Sequence, residues 1–225
     1  MRCFMIFCEN KSAQYNIISK SFILILFFSS LANAASDLSV SWQFSTEMDS
    51  PIRAAPAVQY GMLVFGNYDG ELYGISEKTG TFIWRYQTQN AIESSPVISG
   101  DRLYIGSNDQ HLYCLNLFSG NLIWSYKTED SIQTTPCVIN EIILVTSGSK
   151  LYCLNALSGK EIWATPFETN GTLTSPVFNI DRAYVGSQDR SLYAVKIDNK
   201  NDKRIYPHND WISGAPAFKD NNFFQ

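Results

Sequence analysis

Leu112-Tyr113-Cys114-Leu115-Asn116-Leu117-Phe118-Ser119-Gly120-Asn121-Leu122-Ile123-Trp124 is the stretch whose reading decides the fold. It contains an apolar run opened by Leu-Tyr, a turn closed by glycine, and a tryptophan four residues after that glycine. The same order stands at Leu72-Tyr73, Gly80 and Trp84, and again at Leu151-Tyr152, Gly159 and Trp163. Further out, prolines fall at Pro56, Pro96, Pro136, Pro176 and Pro216, each forty residues after the last. Ser95-Pro96-Val97-Ile98 recurs as Ser175-Pro176-Val177-Phe178. A fixed period of this size means one supersecondary unit copied along the chain.

The copy spanning residues 94–133 shows what the unit is. Pro96-Val97-Ile98 is a short run opened by proline, which a strand tolerates at its first residue. Gly100-Asp101 turns the chain, Leu103 to Gly106 is a second run, and Ser107-Asn108-Asp109-Gln110 is dense in turn formers. Leu112 to Leu117 and Leu122 to Tyr126 are the third and fourth runs. Four short strands without helical periodicity predict one antiparallel propeller blade per repeat. A single blade cannot bury both faces, so it needs neighbours stacked around an axis. Leu112, Leu151 and Leu192, with Tyr113, Tyr152 and Tyr193, are read as packing residues between blades rather than a ligand platform, because repeated aromatics fill core. The predicted fold is all-β: blades near residues 53–88, 94–128, 134–167 and 174–207, and part of a fifth at 214–225.

Gly-His and Trp-Asp dipeptides, the marks of WD40 blades, do not occur. The Leu-Tyr, Gly and Trp order instead closely resembles the repeat of the pyrroloquinoline-quinone-like (PQQ-like) propellers, and the resemblance covers nearly all of residues 42–225. In that family the tryptophan docks against the neighbouring blade. The resemblance implies this structural role for Trp84, Trp124 and Trp163, and by position for Trp42. The fourth copy departs: Lys200 falls at the glycine position and Arg204 at the tryptophan position. Residues 198–204 are therefore expected to form a loosened, solvated outer edge.

The N-terminus reads as an export signal. Arg2, Lys11 and Lys20 precede an apolar run at 22–28, and Ala32-Asn33-Ala34 follows. That order of basic, apolar and small residues predicts a secretory signal peptide over 1–34, cleaved after Ala34, and a soluble periplasmic product. The run is too short for a transmembrane helix, and no cysteine closes it to suggest a lipid anchor. Cys3 and Cys8 leave with the leader. Cys114, Cys137 and Cys153 remain, an odd number that supports small buried hydrophobes rather than a disulfide framework. Removing Arg2, Lys11, Lys20 and Glu9 leaves 14 basic and 20 acidic residues, a net charge of −6, which disfavours nucleic acid and anionic membranes as partners.

The ends are unequal. Ser41-Trp42-Gln43-Phe44 aligns with a fourth strand, while Gly214 to Phe218 and Asn222 to Gln225 align with first and second strands. An incomplete ring is expected, in which residues 41–45 lack a partner strand and a second chain could supply the missing blades. Exposed strand edges of this kind invite pairing.

The turns between second and third strands carry Asp69, Asp109 and Asp189, beside Asn67, Asn108 and Gln188. A ring of carboxylates could hold Ca²⁺, but recurrence at one turn position favours aspartates that bond their own backbone. The two histidines, His111 and His208, form no metal-ligand or triad pattern, and His111 is expected at the surface. No catalytic residue, metal site or cofactor is predicted.

Two functions follow. The first is a non-catalytic exported scaffold that binds proteins through rim loops or a strand edge, resembling the outer-membrane protein assembly factors among these propellers. Its candidate contact residues are Glu47, Met48, Gln89, Asn90, Glu129, Asp130, Glu168 and Asn170. The alternative is part of a quinoprotein dehydrogenase acting on an alcohol or sugar with PQQ and Ca²⁺. That resemblance implies a vicinal cysteine pair or other clamping residues, and no adjacent cysteines are present.

Overall fold

Each repeat folds because two kinds of turn are written into it. The first joins strands one and two in a tight hairpin with positive φ at its first turn residue: Tyr60, Gly100, Asn140 and Ile180. The second joins strands three and four. There Asn116 Oδ1 accepts from the backbone N–H groups of Phe118 and Ser119, and Asn155 Oδ1 does the same for Leu157 and Ser158. The glycines that close these turns, Gly80, Gly120 and Gly159, sit at φ of 69°, 69° and 70°.

The computed structural model describes residues 4–6, 14–20, 23–29, 40–46, 50–219 and 222–224. Four antiparallel blades follow one another. The first comprises β5 (Ala57–Gln59), β6 (Met62–Gly66), β7 (Glu71–Ser76) and β8 (Phe82–Gln87). The second comprises β9 (Val97–Ser99), β10 (Arg102–Gly106), β11 (His111–Asn116) and β12 (Leu122–Lys127). The third comprises β13 (Cys137–Ile139), β14 (Ile142–Ser147), β15 (Lys150–Asn155) and β16 (Phe167–Glu168), and the fourth β17 (Val177–Asn179), β18 (Arg182–Gly186), β19 (Ser191–Lys196) and β20 (Lys203–Pro207). Strands β21 (Ala217–Lys219) and β22 (Asn222–Phe224) form a separate pair in the register of a first and second strand. The fold is thus an all-β propeller of four blades and part of a fifth, and among the described residues the blades do not close a ring.

Burial explains the composition of the third strand. Tyr113 and Leu115 pack with Leu72, Trp84 and Ile92 of the blade before, while Leu112 and Cys114 pack with Ile132, Val145 and Tyr152 of the blade after. Both faces of β11 are covered, so it reads as a continuous apolar run, not an alternating one. The repeated prolines Pro56, Pro96, Pro136, Pro176 and Pro216 are all buried. The serine ahead of two of them links blades: Ser95 Oγ accepts from Ala55 N at 3.1 Å and Ser175 Oγ from Thr135 N at 3.0 Å.

Two expectations are corrected. Residues 41–45 do not lack a partner strand. They form β4 (Val40–Ser45), antiparallel to β3 (Ile23–Ser29), in a sheet completed by β1 (Phe4–Ile6) and β2 (Gln14–Lys20). The apolar run read as part of a leader is rich in isoleucine and phenylalanine, which also favour strands. The cleavage point after Ala34 lies outside the described residues. The edge at 198–204 is solvated as expected, with only Lys200 half-buried, but it is not loosened: β20 pairs with β19 in full register, Ala194 opposite Arg204. The turn before it is pinned by buried Arg182, whose Nη2 donates to both Asp202 carboxylate oxygens at 3.1 Å. Lys200 Nζ reaches the previous blade and caps the Thr165 carbonyl and hydroxyl, where Pro166 interrupts the fourth strand.

Candidate functional site

The loops between blades and the turns between strands two and three share one rim, and hydrogen bonds fix their backbone. Thr88 Oγ1 donates to the carbonyls of Gly70 and Asn90, at 2.9 and 2.7 Å. Thr128 bridges Gln110 and Asp130 in the same way, and Thr169 bridges Ser149 and Gly171. Asn108 N donates to the Ala91 carbonyl and Gln188 N to that of Thr172, so each loop is laced to the next blade's turn. In the second half of the first loop, Glu93 gathers three partners: Arg53 at 3.4 Å, Asn108 at 2.8 Å and Gln133 at 2.9 Å. Gln89, Asn90, Glu129, Asp130, Glu168 and Asn170 are all exposed on this rim, with Glu129 paired to Lys150 at 2.5 Å. Glu47 and Met48 lie outside the described residues. The arrangement is a hydrogen-bonded backbone presenting exposed polar side chains.

The repeated aspartates are placed unequally. Asp109 Oδ1 accepts from His111 N, and its Oδ2 accepts from the Tyr113 hydroxyl at 2.8 Å and from Gln89 N of the preceding loop at 2.9 Å. Asp189 holds Ser191 N and the Tyr193 hydroxyl in the same way. Asp69 is exposed, and its turn is organised by Asn67, whose Oδ1 accepts from Asp69 N and Glu71 N. The tyrosine partner in that blade is Glu71, 2% exposed, which accepts from the Tyr73 hydroxyl at 2.6 Å and pairs with Arg85 at 3.0 Å. Burial, with Glu71 alongside, pushes the Tyr73 phenol up to about 12. Sequence reading missed Glu71. The available signal was a charged residue at the head of an apolar strand, where the next copies have His111 and Lys150.

The carboxylates of Asp109 and Asp189 are spent on backbone and phenol donors. Among the described residues no group of three or more histidine, cysteine, aspartate or glutamate side chains could hold a metal ion. His111 is half-buried rather than at the open surface, with Nδ1 2.9 Å from the Asp109 carbonyl. Cys114 and Cys153 are buried and free, and burial raises their thiols to about 11 and about 12. They are not activated nucleophiles.

The repeat tryptophans clasp successive blades. Trp42, Trp84, Trp124 and Trp163 donate from Nε1 to the carbonyls of Glu77, Leu117, Ala156 and Ile197, at 2.9, 2.8, 3.1 and 2.8 Å. A Cβ added at Gly80, Gly120 or Gly159 would fall 2.4–2.7 Å from the rings of Trp42, Trp84 and Trp124 respectively. Only glycine permits both the left-handed turn and the overlying indole.

The family model described as outer membrane protein assembly factor BamB matches residues 32–139 and 134–211. No curated protein matches the chain. Among solved structures, the chain is similar to the computationally designed Ika8 protein, with a TM-score of 0.74, 15% identity, and 96% of this chain covering 65% of that one. It is similar to BamB from Moraxella catarrhalis, with a TM-score of 0.61 and 15% identity over 96% of this chain and 77% of that one. The designed Ika4 protein gives a TM-score of 0.58 at 15% identity, over 71% and 92% of the two chains. The chain therefore spans just under two thirds of the length of the Ika8 protein, and these likenesses concern the fold.

Proposed function

The chain belongs to the family described as outer membrane protein assembly factor BamB, and from that membership we propose that it is an exported, non-catalytic scaffold that binds protein partners through the laced rim. The observation that carries the reading is the contrast on that rim. Its backbone is locked by the threonine bridges of Thr88, Thr128 and Thr169, while Gln89, Asn90, Glu129 and Glu168 point outward. A surface that is already ordered loses little entropy on binding.

Export is part of the proposal. The family match starts at residue 32 and leaves the basic and apolar residues 1–31 outside it; removing them as a leader would take β1 to β3 away and leave β4 without its present partner strand. No helix among the described residues is long and apolar enough to cross a membrane. Function would then be exercised in the periplasm, beside the outer membrane.

The test is complementation. Deleting the gene should lower the amount of assembled outer-membrane protein, and the intact chain should restore it. A chain with Gln89, Glu129 and Glu168 changed to arginine should fail at equal abundance. A chain changed at Thr79, Ser119 and Lys160, exposed residues of the turns between strands three and four, should succeed. Full restoration by the rim variant would remove the rim from the proposal.

A further inference from the structure

The first strands β5, β9, β13 and β17 stand side by side from blade to blade. The residues just ahead of them therefore stand at the inner mouth of the rim. One repeat position there holds Arg53, Glu93 and Gln133, and these three meet. Glu93 is the sunken member, its side chain 19% exposed against 60% for Arg53.

The two oxygens of Glu93 are used unequally. Oε2 accepts from Asn108 Nδ2 at 2.8 Å and from Gln133 Nε2 at 2.9 Å. Oε1 accepts from Arg53 Nη1 at 3.4 Å and, among the described residues, from nothing else. A well-formed guanidinium–carboxylate bond is about 2.7–2.9 Å long and often bidentate. Elsewhere in this chain Arg85 stands 3.0 Å from Glu71, and Arg182 holds both oxygens of Asp202 at 3.1 Å. Arg53 is thus a loose partner for Glu93. Its guanidinium also lies over the ring of Tyr68, 4.6 Å from the centroid, and that ring is 41% exposed.

A second acceptor beside Glu93 is unfilled. Asn108 Oδ1 is enclosed, and among the described residues no donor reaches it. Flipping the carboxamide is no remedy, because it would set an oxygen against Glu93 Oε2. A shut-in acceptor without a donor costs free energy. The cluster is therefore rich in acceptors and short of donors, beside an exposed aromatic face. A guanidinium has the opposite character: a planar fork of donors with no acceptor, which also stacks on aromatic rings.

We propose that Glu93, Tyr68 and Asn108 form a receptor for an arginine side chain of a protein partner, and that Arg53 is the chain's own placeholder in it. The incoming guanidinium displaces Arg53, takes Glu93 Oε1 and lies over Tyr68, while Asn108 and Gln133 hold the carboxylate from its other oxygen. The net charge of −4 draws such a cation in. The inference rests on the rim reading for the source of the arginine, but the receptor is tested without any partner.

The probe is N-acetyl-arginine amide, titrated into the isotope-labelled full chain and read by NMR at the side-chain amides of Asn108 and Gln133. Saturable shifts are expected, and none with N-acetyl-citrulline amide, the neutral isostere. Arg53→Ala should tighten binding by about two- to fivefold, the hold of an exposed ion pair on a site, with its urea midpoint unchanged. Glu93→Gln, of the same size, should lose the binding. The proposal is overturned by the absence of saturable shifts in both the parent chain and Arg53→Ala, by equal shifts with the citrulline probe, or by shifts that survive Glu93→Gln. An Arg53→Ala chain that binds no more tightly than the parent overturns the placeholder. Full complementation by the rim variant would leave a positive titration untouched, and a negative titration would leave the rim reading to its other residues.

Discussion

The indole of Trp84 lies against Gly120 of the next blade: its Nε1–H donates to the Leu117 carbonyl at 2.8 Å, and a Cβ at Gly120 would stand 2.7 Å from its Cδ2 and Cε3 atoms. Gly100 has a similar backbone, φ 61° against 69°, but nothing within 4 Å of an added Cβ. The pair separates two costs. Gly100→Ala should lose only the left-handed penalty, ~1–2 kcal/mol. Gly120→Ala should add an overpacking cost of ~1–3 kcal/mol. Urea midpoints of the two variants decide it, and equal losses would mean that the indole moves aside freely.

Asp109 and Asp69 occupy one repeat position but carry different loads. Asp109→Ala strips the half-buried turn of acceptors for His111 N, Gln89 N and the Tyr113 hydroxyl, and should cost ~1–3 kcal/mol. Asp69→Ala removes an exposed carboxylate from a turn that Asn67 organises, and should stay within ~0.5 kcal/mol. In that blade Glu71→Ala should be the costly change, because it leaves the buried Tyr73 hydroxyl and Asn67 amide without their acceptor. Thermal melts of the three variants test the order.

That inequality marks how far the sequence could be read. Blade number, strand order and the tryptophan positions were legible because the Leu-Tyr, Gly and Trp order is local and repeats. The exchange of Asp69 for Glu71 was not, since it depends on which carboxylate reaches a phenol across a turn. The pinned edge at 198–204 was hidden for the same reason. Its charges are solvated, as they read in sequence, but the bonds that pin it are distant: Arg182 and Asp202 are partners twenty residues apart, and Lys200 acts on Thr165 in another blade. The rim's threonine bridges were likewise missed. Threonine at positions 88, 128 and 169 keeps almost the repeat period, and that recurrence was the overlooked signal.

Cofactor binding can be tested directly. Asp109 and Asp189 are committed to phenol and backbone donors, and adjacent cysteines are absent from the chain. Adding PQQ with Ca²⁺ should therefore leave the melting temperature unchanged. A ligand present at a hundred times its Kd would instead stabilise the fold by ~2.7 kcal/mol, so a clear upward shift would favour the dehydrogenase reading.

Alkaline pH should unfold the chain through its buried acids. Burial raises Cys114 and Cys153 from 9.0 to about 11 and about 12, and raises Tyr73 from 10.0 to about 12. Tyr113 and Tyr126 move the same way, from burial first and then from the carboxylates of Asp109 and Glu161. Each folded value lies above the unfolded one, so the folded state holds these protons more tightly. Their contribution is complete below pH 9 and is lost as pH rises through about 11 to 12. Urea midpoints should be level for these groups up to pH 9 and then fall. Tyr113→Phe removes one titrating phenol and, with it, part of the slope above pH 10. A midpoint that falls as steeply in this variant as in the parent chain would show that the Asp109–Tyr113 contact does not carry the alkaline transition.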